Sequence, residues 1–166
     1  MSTTVTLPSS PAPVTQILAH MPIFSAIGDR ALEQIHKMLK NQAFEAGAFV
    51  VREGDTEKCV YIVEKGEVEV LKTCPGQVQQ ARIAVLGPGA CFGEMSLIDV
   101  MPRSASVRTT QRSVLWSFSN QDLFYIYQWN LETFTLIMMN LARELSRRLR
   151  KADAALAETS VLPQSA

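Results

Sequence analysis

Gly89-Ala90-Cys91-Phe92-Gly93-Glu94-Met95-Ser96-Leu97, continued by Ile98 to Met101 and then by Pro102-Arg103-Ser104-Ala105-Ser106-Val107, does not follow the strand grammar around it. The stretch combines small residues with one acid, Glu94, and one base, Arg103. Small residues let backbone amides approach a ligand closely. Ser96 to Val100 is expected to form a short helical turn whose amino end faces that ligand and favours an anion. Arg103 offers a planar fork suited to phosphate oxygens. Glu94 is an acceptor for the hydroxyls of a sugar. The competing reading is an ion pair between Glu94 and Arg103 that staples a loop and binds nothing.

On either side, from Gln42 to Ser119, short β-branched runs alternate with turn signals. The runs are Phe49 to Val51, Cys59 to Val63, Val68 to Leu71, Ile83 to Leu86 and Ser113 to Phe118. Gly47, Glu53-Gly54-Asp55, Lys65-Gly66, Pro75-Gly76 and Gly87-Pro88-Gly89 separate them. Many short strands with glycine turns point to an antiparallel sandwich or barrel.

Helices flank this region. Residues 1–14, rich in proline and serine, read as a flexible tail that buries too little to offset its ordering entropy. Ile17 and Leu18, then Ile23 and Phe24, fall on helical spacing interrupted by Pro22. Asp29 is expected to cap a helix whose apolar face is Leu32, Ile35, Met38 and Leu39. Gln121 to Asn130 forms a short helix capped by Ser119 or Asn120. Leu131 to Glu158 then runs 28 residues without Gly or Pro. Its apolar positions (Phe134, Met138, Leu141, Leu145, Leu149, Ala152 and Leu156) repeat every eleven residues and hold one stripe on one face. Arg143, Arg147, Arg150 and Lys151 occupy the opposite face. A stripe this long predicts a homodimer through residues 131–158, with folding back over the β unit as the alternative. Residues 159–166 read as a short polar tail.

Composition bounds the function. Sixteen Lys and Arg balance sixteen Asp and Glu, which argues against a nucleic-acid-coating surface. No apolar run approaches the roughly 18 residues of a membrane span, so no membrane association is expected. The first charged base is Arg30, which argues against a secretory signal. Cys59, Cys74 and Cys91 lie far apart, as expected for reduced thiols in a cytoplasm. The only histidines, His20 and His36, lie in the N-terminal helical segment, so no metal and no metal-dependent enzyme is expected. No general base is evident in the stretch from Gly89 to Val107, and a binding protein is expected in place of an enzyme.

The two halves Phe92-Gly93-Glu94-Met95-Ser96-Leu97 and Arg103-Ser104-Ala105-Ser106-Val107 closely resemble the phosphate-binding cassette of cyclic nucleotide-binding domains. That pattern reads F-G-E-aliphatic-small-L, a spacer, then R-small-A-Ser/Thr-V. Pro22 to Ser25 is similar to the family's helical entry, Phe44 to Gly47 and Glu53 to Asp55 to its first strand and turn, and Val60 to Val70 to its hairpin. Ala46 stands where proline is usual. The likeness covers roughly residues 16 to 157. It implies a mainly β fold with flanking α: an eight-stranded antiparallel jelly-roll barrel with N-terminal helices and a long C-terminal helix, one domain over 15–158. By the resemblance Glu94 accepts from the ribose 2′-hydroxyl and Arg103 neutralises the cyclic phosphate. Phe92 and Gly93 belong to the same motif. Amides around Met95, Ser96 and Ala105 complete the cradle, and the Ser104 hydroxyl reaches the phosphate or a syn purine. Val70 and Ile83 line the base and sugar, or are plain core residues.

The C-terminal helix, above all Asn140 to Arg143 and Arg147 to Leu149, is similar to the dimer helix of catabolite-activator-type proteins. There a DNA-binding domain follows; here only Thr159 to Ala166 does, so no direct DNA binding is expected. Ala152 and Asp153 stand where hydroxyl residues would reach the purine. Arg148 or Arg150 could serve instead, although a solvated face is the simpler expectation for both. The function expected is a cyclic nucleotide sensor for cAMP, or cGMP, with no other cofactor, acting through its C-terminal helix on a dimer or a protein effector. The alternatives are a cyclic di-GMP-binding protein and a ligand-free interaction subunit.

Overall fold

A computed structural model describes residues 14–159 except 75, 77, 78 and 100, with the backbone alone at Ser96, Leu97 and Thr159. The expected tails, 1–14 and 159–166, lie outside the described residues except for Val14 and Thr159, which are helical. The chain enters through α1 (Val14–Ala19), a 3-10 turn (Pro22–Phe24) and α2 (Asp29–Met38). The residue capping α2 is Gly28; Asp29 is the first helical residue, where its charge still suits the positive end of the helix dipole.

Eight strands follow: β1 (Lys40–Phe44), β2 (Phe49–Val51), β3 (Cys59–Lys65), β4 (Val68–Thr73), β5 (Gln80–Leu86), β6 (Cys91–Phe92), β7 (Ser106–Thr109) and β8 (Ser113–Ser119). They form two four-stranded antiparallel sheets, ordered β1-β8-β3-β6 and β2-β7-β4-β5. Among the described residues no ladder joins the sheets, so the expected barrel is not closed by hydrogen bonds. The edges explain why: β6 has two residues, and β2 has three with a register shift between Phe49 and Val51.

The alternation of strand side chains builds a three-layer stack. In β3, Val60 and Ile62 face the helices, whereas Tyr61 and Val63 face the second sheet. In β8, Trp116 and Phe118 join the helical core and Leu115 the core between the sheets. The centre of the first sheet is therefore apolar on both sides, which is why Val60 to Val63 reads as a continuous apolar run and not as an alternating one.

Helix α4 (Asn120–Trp129) starts at a capping box in which Asp122 N–H donates to Ser119 Oγ and Ser119 N–H to Asp122 Oδ2. Helix α5 (Leu131–Thr159) packs through Ile137 and Leu141, both buried in the helical core. Asn140, also buried, donates from Nδ2 to the carbonyls of Ile23 at 3.1 Å and Ser25 at 2.9 Å, tying α5 to the entry turn. Of the expected stripe only Leu141 is fully buried. Ala152 is exposed, and Leu149 and Leu156 are each 63 % exposed.

Candidate functional site

The backbone after β6 turns at Gly93 (φ +83°) and runs through Glu94 into a single helical turn, α3 (Met95–Ile98). This turn starts one residue earlier than expected and stops before Val100. Val100 and the Ser96 side chain lie outside the described residues. Arg103 follows in a loop that leads into β7.

Glu94 and Arg103 are both buried, 2 % and 4 % exposed, but they are not paired with each other as the competing reading supposed. Arg103 donates from Nη1 to Gly93 O and from Nη2 to Cys59 O, both at 2.8 Å. Its guanidinium carbon lies 6.0 Å from the Tyr61 ring, which stacks on Phe92 at 5.3 Å. The Tyr61 ring, backed by Phe92, thus lies on one side of the arginine.

Glu94 is met by a residue from the far end of the chain. Arg148 Nη1, on α5, donates to Glu94 Oε1 at 2.8 Å, and Arg148 Nη2 donates to Cys91 O. Glu144, one helical turn earlier, holds Arg148 Nε at 3.4 Å and accepts from Arg147 Nη2 at 2.6 Å. Arg148 is therefore part of the site and not of a solvated face. Glu94 Oε2 is buried with no hydrogen-bond partner. A buried acceptor left unmade costs about 1–3 kcal/mol, so this oxygen favours any donor that can reach it.

Burial pushes the Glu94 carboxyl above its usual range, with Arg148 pulling the other way. A carboxyl raised on folding contributes stability below its unfolded value of about 4.3, and that contribution is lost as pH rises through the folded value. Melting temperature measured against pH should therefore diverge between the protein and its Glu94→Gln variant above pH ~4, the gap growing in the variant's favour. Parallel profiles would show a carboxyl that titrates as an exposed one does. Burial likewise pushes the Cys91 thiol up to about 12 and raises Cys59, so neither is an activated nucleophile. Among the described residues no three His, Cys, Asp or Glu side chains converge on a metal position, and no helix is long and apolar enough to cross a membrane.

The remaining expected site residues divide. Ser104 is exposed, with its Oγ 3.7 Å from Met95 Sδ, and Met95 is itself exposed. Ala105 and Val70 are half-buried, and Val70 packs against the core between the sheets. Ile83 is the extra residue of a β-bulge in β5 opposite Val70 and Leu71, and at 60 % exposure it is not the plain core residue of the alternative reading. A cavity of about 390 Å³ lies between the entry turn, the β5–β6 turn and α5; it shares Cys91 and Glu144 with the surroundings of Arg148.

Comparisons with known proteins agree with this fold. Residues 41–130 match the family model of the cyclic nucleotide-binding domain. The chain is 31 % identical over 135 residues to the cyclic AMP receptor protein of Thermus thermophilus, covering 81 % of this chain and 60 % of that protein. Over 100 residues it is 32 % identical to the cAMP-dependent protein kinase regulatory subunit of Yarrowia lipolytica, covering 60 % of this chain and 25 % of that subunit. It therefore spans three fifths or less of the length of these relatives. In fold it is similar to a cyclic nucleotide-binding domain from Methylobacillus flagellatus KT, with a TM-score of 0.83 at 22 % identity over 92 % of this chain and 87 % of that one. With a family model matched over more than half of its length and a two-sheet core with flanking helices, the chain belongs to the cyclic nucleotide-binding domain family.

Proposed function

We propose that the protein is a cyclic mononucleotide sensor, preferring cAMP, that performs no reaction of its own. The observation that carries this reading is the buried Glu94 carboxylate, whose Oε2 has no partner, next to a buried Arg103 in one cassette. A free acceptor and a planar cation are what a ribose 2′-hydroxyl and a cyclic phosphate require. Amides at Met95, Ser96 and Ala105 cradle the phosphate, with the Ser104 hydroxyl beside it. Phe92 and Gly93 frame the arginine, and Val70 and Ile83 flank base and sugar in a jelly-roll β unit. The preference for cAMP is supported by the cyclic AMP receptor and cAMP-dependent kinase regulatory subunit among its relatives.

Arg148 gives the site an output. A ribose hydroxyl on Glu94 Oε2 shares one carboxylate with Arg148 on Oε1, so nucleotide and α5 are coupled through that group. The uncovered Leu149 and Leu156 support a homodimer through α5, or a protein effector docked there. The three unpaired cysteines are in keeping with a cytoplasmic setting.

Titration of the protein with cAMP, cGMP and cyclic di-GMP, read by calorimetry and melting, tests the reading. At 100 times its dissociation constant a ligand stabilises by about 2.7 kcal/mol. We expect cAMP to do so, and 2′-deoxy-cAMP to bind at least ~10-fold more weakly because Glu94 is left unpaired. Equal binding of the deoxy analogue would remove Glu94 from the role given. Stabilisation by none of the three would leave a protein-interaction subunit.

A further inference from the structure

The arginine half of the cassette is stitched to the chain that precedes it. Gly54 N–H donates to Arg103 O at 2.9 Å, Arg103 N–H to Asp55 O at 2.7 Å, and Glu53 N–H to Ser106 Oγ at 2.9 Å. A further link comes from β4, outside both motif halves. Lys72 Nζ donates to the carbonyl of Ser104 at 2.6 Å and to Glu53 Oε1 at 2.5 Å, while Glu53 Oε2 accepts the Thr73 N–H at 3.0 Å. The Lys72 side chain is 47 % exposed and that of Glu53 26 %. An ion pair that open to solvent adds little to stability.

The Ser104 carbonyl and the Ala105 N–H belong to one planar trans peptide and point in opposite directions. Gripping the oxygen therefore fixes the direction of the hydrogen. A cation on the oxygen also polarises the amide and strengthens its N–H as a donor. Lys72 itself holds the Glu53 carboxyl down to about 2, so Glu53 stays ionised and the grip persists at any ordinary pH.

We propose that Lys72 is a positioning residue of the cyclic nucleotide site: anchored by Glu53, it holds the Ser104–Ala105 peptide so that the Ala105 N–H is aimed at the ligand's phosphate. This rests on the reading of the cassette as a cyclic nucleotide site and extends that site to a β4 residue.

The test titrates the protein, Lys72→Met and Lys72→Arg with cAMP, with 2′-deoxy-cAMP and with the two phosphorothioate diastereomers, in which sulfur replaces one or the other exocyclic phosphate oxygen. We expect Lys72→Met to bind cAMP about 10-fold more weakly, the value of one charge-assisted hydrogen bond. Its preference between the diastereomers should narrow, while the penalty for removing the 2′-hydroxyl stays as in the unaltered protein. Lys72→Arg should stay within about 3-fold, since it can still reach the carbonyl. Unchanged cAMP affinity in Lys72→Met overturns the proposal. So does a fall in both discriminations together, which would mark general disorder of the site. Should Lys72→Met fail to fold, Glu53→Gln keeps an oxygen for the Thr73 N–H but loosens the ammonium, and must narrow the same diastereomer ratio; an unchanged ratio overturns the proposal. If the unaltered protein binds no cyclic nucleotide, the underlying reading falls and takes this one with it. If it binds and the Lys72 variants bind as well, the Lys72 role alone falls.

Discussion

Arg103→Ala is expected to weaken cyclic nucleotide binding by a factor between about 30 and several thousand, the usual range for removing one partner of a buried, hydrogen-bonded charge pair. Two losses add. The ligand's phosphate would enter a buried site with no counter-charge. The carbonyls of Gly93 and Cys59 also lose the guanidinium donors that now satisfy them at 2.8 Å each. The second loss acts without ligand, so the variant should also melt several degrees lower, each stranded carbonyl costing about 1–3 kcal/mol unless water replaces the donor. Calorimetry against cAMP and a thermal melt of the free variant separate the two. An affinity within threefold of the unaltered protein would show that Arg103 only staples Gly93 to Cys59.

The second large effect is expected at Gly93. A Cβ there would meet Arg103 Nη1 and lie 2.7 Å from the Cys59 carbonyl oxygen, on a backbone with φ +83°. The left-handed conformation costs a non-glycine residue about 1–2 kcal/mol. Overpacking against a fixed backbone adds about 1–3 kcal/mol. Gly93→Ala should therefore lower the melting temperature by about 10 °C and displace the arginine. Gly47→Ala is the control: its φ is +82°, but nothing lies within 4 Å of the added Cβ. It incurs the backbone term alone. Equal losses in the two variants would mean that Gly93 is kept for its turn and not for its closeness to Arg103.

What the sequence discloses of this site is its local part. Glu94 and Arg103 are legible because the residues that shape their loop stand within one continuous stretch, and the Ser119–Asp122 capping box because it is three residues long. Partners set by tertiary packing are not legible. Arg148 lies 54 residues from Glu94 and in a run of basic side chains that looks uniformly solvated; only the pose of α5, set by Ile137, Asn140 and Leu141, turns it inward. The same holds for Cys59 O under Arg103, which becomes an acceptor only when β3 comes alongside β6. Strand β1 shows the converse. Lys40 to Ala43 are all exposed and carry no alternation, and the strand exists because β8 offers it a ladder from Lys40–Ser117 to Phe44–Ser113. The C-terminal stripe and the fully buried face of α5 coincide only at Leu141. The eleven-residue count tracks Leu149 and Leu156, whereas the buried face follows Ile137 and Leu141 toward Glu144 and Arg148.

If α5 moves when nucleotide reaches Glu94, its two bonds from Asn140 to the entry turn would make that point a pivot and the helix beyond it a lever. At 1.5 Å per residue, Arg148 sits about 12 Å from the pivot and Thr159 about 28 Å. A tilt of roughly 10° would draw Arg148 back by about 2 Å, enough to release a hydrogen bond, and would carry the helix tip about 5 Å. The length of the helix would thus multiply a change at one carboxylate more than twofold at the end that faces solvent.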